Sequence, residues 1–128
     1  GTQGLAFDTA ELAIARHDVV ALYRRYHARV RHFHFKDALA VDELDEYKLP
    51  NSERAMILAG GQRRIQRWFG ELGTGVVDFP ALLAAMNELG YRGNVIVESD
   101  RGPAPVVGSM LLNSWYLQRV LKVLPLAA

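Results

Sequence analysis

The sequence contains no cysteine, which excludes both a disulfide framework and a thiolate zinc site. Its charge is nearly balanced, with 15 lysines and arginines against 14 aspartates and glutamates, so no overall attraction to nucleic acid or to an anionic membrane is expected. The N-terminus also lacks the basic segment and apolar run of a signal peptide. We therefore expect a cytoplasmic protein with neither nucleic acid nor membrane as a partner.

The sequence also lacks an uninterrupted hydrophobic run that could span a bilayer. Its most apolar stretch, residues 106–124, is interrupted by four polar side chains that are costly at membrane depth: Asn113, Gln118, Arg119 and Lys122. We interpret this stretch as a buried amphipathic helix, whose apolar residues include Met110, Leu111 and Trp115. With 128 residues, 50% of them hydrophobic, the chain has the size and composition of one domain with a packed core.

Three short apolar runs each carry, at their last or last but one position, a side chain that can bind a metal. They are residues 5–8 (LAFD), 30–35 (VRHFHF) and 95–98 (VIVE). Because side chains alternate between the two faces of a β-strand, one face of these strands is predicted to carry Ala6, Asp8, His32, His34, Ile96 and Glu98. The opposite face, predicted to pack under helices, carries Phe7, Phe33, Phe35, Val95 and Val97.

The predicted elements follow the order strand, helix, strand, long connection, helix, strand, helix. Asp18 is predicted to cap a helix over residues 19–26, and Asp78 or Phe79 to start another that ends at Gly90. The connection over residues 38–78 is a long loop insertion of the kind that is functional or carries short helices. This order predicts an α/β fold with parallel strands and helices outside. Only about three βα units fit, whereas a (β/α)8 TIM barrel needs eight, so residues 1–128 are predicted to form a single partial TIM-barrel domain.

Asp8, His34 and Glu98 stand at the C-terminal ends of the predicted strands. In parallel α/β sheets and barrels, this edge is where active sites are assembled. One imidazole and two carboxylates suit Mn²⁺, Mg²⁺, Co²⁺ or Zn²⁺, so the three residues are predicted metal ligands. Ordinary polar residues at strand ends are the alternative interpretation.

Four segments together resemble the xylose isomerase-like TIM-barrel family, the sugar phosphate isomerase/epimerase group that includes tagatose epimerases and inosose dehydratase-like proteins. They are FDTAEL at residues 7–12, RHFHFKD at 31–37, ELGTGVVDF at 71–79 and YRGNVIVESD at 91–100. The resemblance covers nearly the whole chain but only the last three βα units of the family. It implies a divalent metal held by Asp8, His34 and Glu98, together with a fifth-strand glutamate that has no counterpart in this sequence.

The resemblance implies the C-terminal segment of a metal-dependent isomerase or epimerase for a ketose, an inosose or a similar sugar or polyol. Such an enzyme removes a proton from the carbon next to a carbonyl, and the metal stabilises the enediolate that results. Glu98 is the predicted catalytic acid/base. Glu11 stands where the family's DTxH pattern has a histidine that contacts substrate. The predicted substrate-binding residues are Glu11, His32, Lys36 and Asp37. Lys36 and Asp37 could instead orient His34 without touching substrate, or form a solvated ion pair.

A second interpretation is a catalytically inactive half-barrel module that acts through self-association or by pairing with another chain. An open parallel sheet leaves strand edges unpaired, and a partial barrel exposes apolar residues of its interior. We therefore expect a homo-oligomer, or pairing with a missing N-terminal half. With the fifth-strand glutamate absent, the isolated chain is expected to bind a divalent ion weakly and to turn over little sugar.

Overall fold

A computed structural model describes residues 3–44, 66–100 and 105–123. A 3₁₀ turn, Gln66–Trp68, precedes β4, and a π-helical turn, Tyr116–Val120, follows the last helix. In chain order the strands and helices are β1 (Leu5–Asp8), α1 (Thr9–Ile14), α2 (Val19–Tyr26), β2 (Val30–Phe35), β3 (Asp37–Ala38), β4 (Phe69–Gly70), α3 (Phe79–Glu88), β5 (Asn94–Val97) and α4 (Val106–Trp115).

The predicted α/β architecture with parallel strands is confirmed. β2 lies at the centre of a three-stranded sheet and pairs in parallel with β1 on one side and β5 on the other. This register places Asp8 opposite His34, and His34 opposite Ile96. The C-terminal ends of all three strands therefore meet at one edge of the sheet.

Aromatic rings form the core on the side of the sheet that faces the helices. Phe7 and Phe33 project from neighbouring strands, and their ring centroids lie 5.2 Å apart in an edge contact. Tyr23 of α2 packs on both rings, and Tyr91 packs on Phe33. Burial of these rings determines which face of each strand points toward the helices. The opposite face of the sheet is then available for polar side chains.

The predicted helix starts are confirmed, because capping depends on residues close in sequence. The side chain of Asp18 accepts the N–H of Ala21 at the start of α2, and that of Asp78 accepts the N–H of Ala81 at the start of α3. Gly90 follows α3 with φ +66°, a conformation that favours glycine at the end of a helix.

Two expectations about burial are wrong. Val95 was expected to lie under a helix, but it is 43% exposed on β5, an edge strand within the described part of the chain. The apolar face of α4 is also exposed, including Met110, Leu111 and Trp115 at 57–67%. The buried residues of α4 are Ser109 and Asn113, so the helix is turned about its own axis with a polar face inward and its apolar face outward.

Two elements were not predicted from the sequence. Helix α1 begins directly at the end of β1, and β3 pairs with β4 in a small antiparallel sheet. This small sheet pairs the start of the predicted 38–78 insertion with residues 69–70 inside it, and residues 45–65 of the insertion lie outside the described residues. Of the helices in the described ranges, none combines the length and apolar character needed to cross a membrane.

Candidate metal centre

Asp8, His34 and Glu98 converge at the C-terminal edge of the sheet, as their positions in the sequence predict. Each contributes one possible ligand atom, and these atoms all lie within 4.8 Å of one another. His34 Nδ1 lies 2.5 Å from Glu98 Oε2 and 3.8 Å from Asp8 Oδ2. Glu98 directly follows β5, and its N–H donates to the carbonyl of Phe35, which fixes the glutamate beside His34.

The donor set and its hydrogen bonding fit a divalent cation. Glu98 Oε2 is buried and accepts no hydrogen bond within the described residues, although it lies beside the imidazole of His34. Asp8 uses Oδ1 to accept the N–H of Glu11, and this leaves Oδ2 on the side of His34. An imidazole nitrogen and two carboxylate oxygens this close together repel one another unless a proton or a cation lies between them, and a divalent cation would be bound by all three.

Lys36 is buried next to these ligands rather than exposed in a loop. Its side chain is 4% exposed, and its ammonium lies 4.4 Å from the centre of the Phe69 ring. Burial alone lowers the pKa of Lys36, but the hydrogen bond to Asp100 and the charge of Asp8 outweigh it and raise the pKa above its usual value. The ammonium therefore stays charged at neutral pH, and the alternative of a solvated ion pair with Asp37 is wrong.

Asp37 does not lie where a substrate could reach it, which corrects its expected role. The residue is fully buried, and its two oxygens accept backbone N–H groups from Ala38, Gly73, Gly75 and Val77. Burial raises the pKa of the Asp37 carboxyl, and these four hydrogen bonds act in the opposite direction. Asp37 instead holds the turn of residues 71–77 against the end of β2.

Thr9 and Asp100 complete the site, although sequence analysis did not select them. The Thr9 hydroxyl donates to the carbonyl of Lys36 and accepts the N–H of the same residue. Asp100 Oδ2 accepts a 2.9 Å hydrogen bond from the Lys36 ammonium. The sequence signals were the polar residue that directly follows Asp8 and the second carboxylate two positions after Glu98.

The other two predicted substrate-binding residues lie next to the ligands. The ring centroid of His32 is 5.0 Å from that of His34, so both histidines line the same face of the sheet. Glu11 Oε1, in the first turn of α1, is 3.8 Å from the Lys36 ammonium. Substrate contact by His32, Glu11 and Lys36 stays a prediction.

Replacing Thr9 with valine is expected to lower the free energy of unfolding by about 1–3 kcal/mol, because the buried N–H of Lys36 loses its acceptor. Thr9→Ser keeps the hydroxyl and serves as the matched control. Urea denaturation followed by circular dichroism measures both variants. Equal stability of Thr9→Val and Thr9→Ser would show that this hydroxyl does not fix the end of β2.

Comparison with known proteins agrees with the α/β architecture of the chain. The family model described as xylose isomerase-like TIM barrel matches residues 3–112. The chain belongs to the xylose isomerase-like TIM-barrel family. The described strands represent only part of the complete barrel of this family.

Several curated proteins are similar in sequence to this chain, and most of those reported carry the name inosose dehydratase. An inosose dehydratase of Lacticaseibacillus casei is 34% identical over 100 residues, which cover 78% of this chain and 31% of the relative. The rhizopine catabolism protein MocC of Rhizobium meliloti is also 34% identical over 100 residues, covering 78% of this chain and 29% of that protein. The chain thus spans about a third of the length of the curated relatives it matches.

Proposed function

We propose that this chain is the metal-binding C-terminal part of an enzyme that removes a proton next to the carbonyl of a sugar or polyol ketone. The observation that carries the proposal is the convergence of Asp8, His34 and Glu98, whose possible ligand atoms all lie within 4.8 Å of one another. The names of the inosose dehydratase relatives favour a cyclic polyol ketone as the substrate class.

Asp8, His34 and Glu98 would hold a divalent cation such as Mn²⁺, Mg²⁺, Co²⁺ or Zn²⁺. When bound, such an ion supplies Lewis acidity, which stabilises negative charge on a carbonyl oxygen while the adjacent carbon loses its proton. The site favours a cation electrostatically, because four carboxylates, those of Asp8, Glu11, Glu98 and Asp100, lie within 3.8 Å of a single ammonium.

The side chains of this chain would handle the proton and the hydroxyl groups of the substrate. Glu98 has two carboxylate oxygens, so one can face the cation while the other accepts the carbon-bound proton. Glu11 offers a carboxylate to which a polyol hydroxyl can donate, in place of an imidazole. A hydroxyl group on the neighbouring carbon can then take up the proton and leave as water, which completes a dehydration. Return of the proton to the former carbonyl carbon instead completes an isomerisation, and its return to the opposite face of the same carbon completes an epimerisation.

Both outcomes share the first step, which is tested by hydrogen exchange. The chain is incubated in D₂O with an inosose and with Mn²⁺, Mg²⁺ or Co²⁺, and deuterium incorporation beside the carbonyl is followed by NMR. We expect slow exchange that requires the metal, is lost in His34→Ala and is unchanged in His17→Ala, a matched control at an exposed histidine. Exchange that is absent at saturating metal, or equal in the two variants, would contradict the proposal.

A second candidate function is a non-catalytic module that pairs with another copy. The observation in its favour is the uncovered apolar surface of α4 and β5, which includes Ile96, Val106, Met110, Leu111 and Trp115. Exposed apolar surface and unpaired strand edges both favour association. In the same samples, light scattering that shows a stable dimer, combined with no metal-dependent exchange, would favour this function over the enzymatic one.

A further inference from the structure

We infer that the ammonium of Lys36 is a fixed cation of this centre, which takes the position of a second divalent ion and so limits the site to one metal. The inference rests on the proposed metal centre but concerns a different property, the number of ions bound. It assigns Lys36 a role within the protein itself rather than a contact with substrate.

The surroundings of the ammonium resemble those of a bound cation. Lys36 Nζ lies 2.9 Å from Asp100 Oδ2 and 3.1 Å from Asp8 Oδ2. Glu98 Oε1 and Glu11 Oε1 follow at 3.5 Å and 3.8 Å. Of the three N–H donors of lysine, one bonds Asp100, and the carboxylates of Asp8 and Glu98 lie at ion-pair distance from the same ammonium. Two of these carboxylates, Asp8 and Glu98, belong to the predicted metal ligands, so the ammonium and a metal would share them.

Packing keeps the ammonium in this position. The side chain is almost fully buried, and its charged end lies over the ring of Phe69. The backbone of Lys36 is held on both sides by Thr9, whose hydroxyl bonds its N–H and its carbonyl. A lysine fixed at both its backbone and its charged end acts as a permanent component of the site.

Charge balance explains why one ion is enough. Four carboxylates and one ammonium give the cluster a net charge of −3, which one divalent ion reduces to −1. A second divalent ion would reverse the sign of the cluster and would be placed close to the ammonium, where repulsion is strong. Without the ammonium, the four carboxylates would balance two divalent ions.

The test measures how many Mn²⁺ ions bind per chain, by electron paramagnetic resonance and by calorimetry. We expect one ion for the wild-type chain and two for Lys36→Gln, which removes the charge but keeps a polar side chain. Lys122→Gln, at an exposed lysine remote in sequence from the cluster, is the matched control and is expected to bind one. One ion in Lys36→Gln, or two in the wild-type chain, would overturn the inference.

The number of Mn²⁺ ions bound distinguishes a failure of this inference from a failure of the proposed metal centre. A wild-type chain that binds no Mn²⁺ refutes the metal centre itself, and the inference with it. If Lys36→Gln is unfolded without metal, its circular dichroism is followed during titration with Mn²⁺. Recovery of the wild-type spectrum on binding two ions supports the inference, whereas recovery with one ion, or no recovery at saturation, overturns it.

Discussion

Replacing Glu98 with glutamine is expected to slow metal-dependent proton exchange by about 10²–10⁴-fold, the usual loss for removal of an acid/base group. The same change is expected to weaken Mn²⁺ binding by more than the roughly 10–100-fold typical of residues that only support a ligand. Both effects follow from the position of Glu98, whose Oε2 lies 2.5 Å from His34 Nδ1 within the predicted ligand set. Deuterium exchange and Mn²⁺ titration measure the two losses separately.

Two further variants make this prediction specific. Glu88→Gln is the matched control, because Glu88 is an exposed glutamate on α3 that pairs with Arg24 away from the centre. It is expected to leave both exchange and Mn²⁺ affinity unchanged. Glu98→Asp keeps the charge but withdraws the carboxylate, so exchange is expected to fall more than affinity. A Glu98→Gln chain that binds Mn²⁺ like the wild type would show that Glu98 is not a ligand.

Features that depend on neighbouring residues were predictable from the sequence. Asp18 and Asp78 cap their helices because the cap and the N–H that it accepts are three positions apart. The convergence of Asp8, His34 and Glu98 was also predictable, since strand alternation and a parallel sheet are sufficient to bring strand ends together.

Features that depend on distant contacts were not predictable. The burial of Lys36 depends on Asp100 and Phe69, which no local pattern connects to it. The rotation of α4 is set by Asn113, which accepts the N–H of Leu72, and by Ser109, which donates to Glu71. An apolar pattern alone favoured the opposite face of this helix, because periodicity identifies apolar positions but not the polar contacts that outweigh them.

The segment at residues 34–37 shows how closely the site and the fold are connected. Within four positions it supplies a predicted metal ligand, His34, a buried counter-ion, Lys36, and the acceptor that holds the 71–77 turn, Asp37. A change at His34 or Lys36 is therefore expected to affect the other of the two. Asp37 allows the structural contribution to be measured by itself, because it touches the turn rather than the metal ligands.

Replacing Asp37 with alanine is expected to lower the free energy of unfolding by roughly 3–5 kcal/mol, the largest stability effect predicted for this chain. The change removes the acceptor of four backbone N–H groups, and each buried N–H left without a partner costs about 1–3 kcal/mol. The total cost is expected to be smaller than the sum of the four separate costs. The N–H groups of Gly73 and Gly75 are only partly buried, so water can reach them and replace the lost acceptor. Such a loss is a large fraction of the free energy of unfolding of a typical domain, which is roughly 5–15 kcal/mol.

Asp78→Ala is the matched control, since it also removes an aspartate that accepts a backbone N–H, but at the exposed start of α3. Loss of this cap is expected to cost about 1 kcal/mol. Asp37→Asn should fall between the two alanine variants, because its amide keeps one acceptor oxygen but turns an N–H₂ group toward a backbone donor of the turn. Urea denaturation followed by circular dichroism measures all three, and an Asp37→Ala variant no less stable than Asp78→Ala would mean that the 71–77 turn holds its position without this carboxylate.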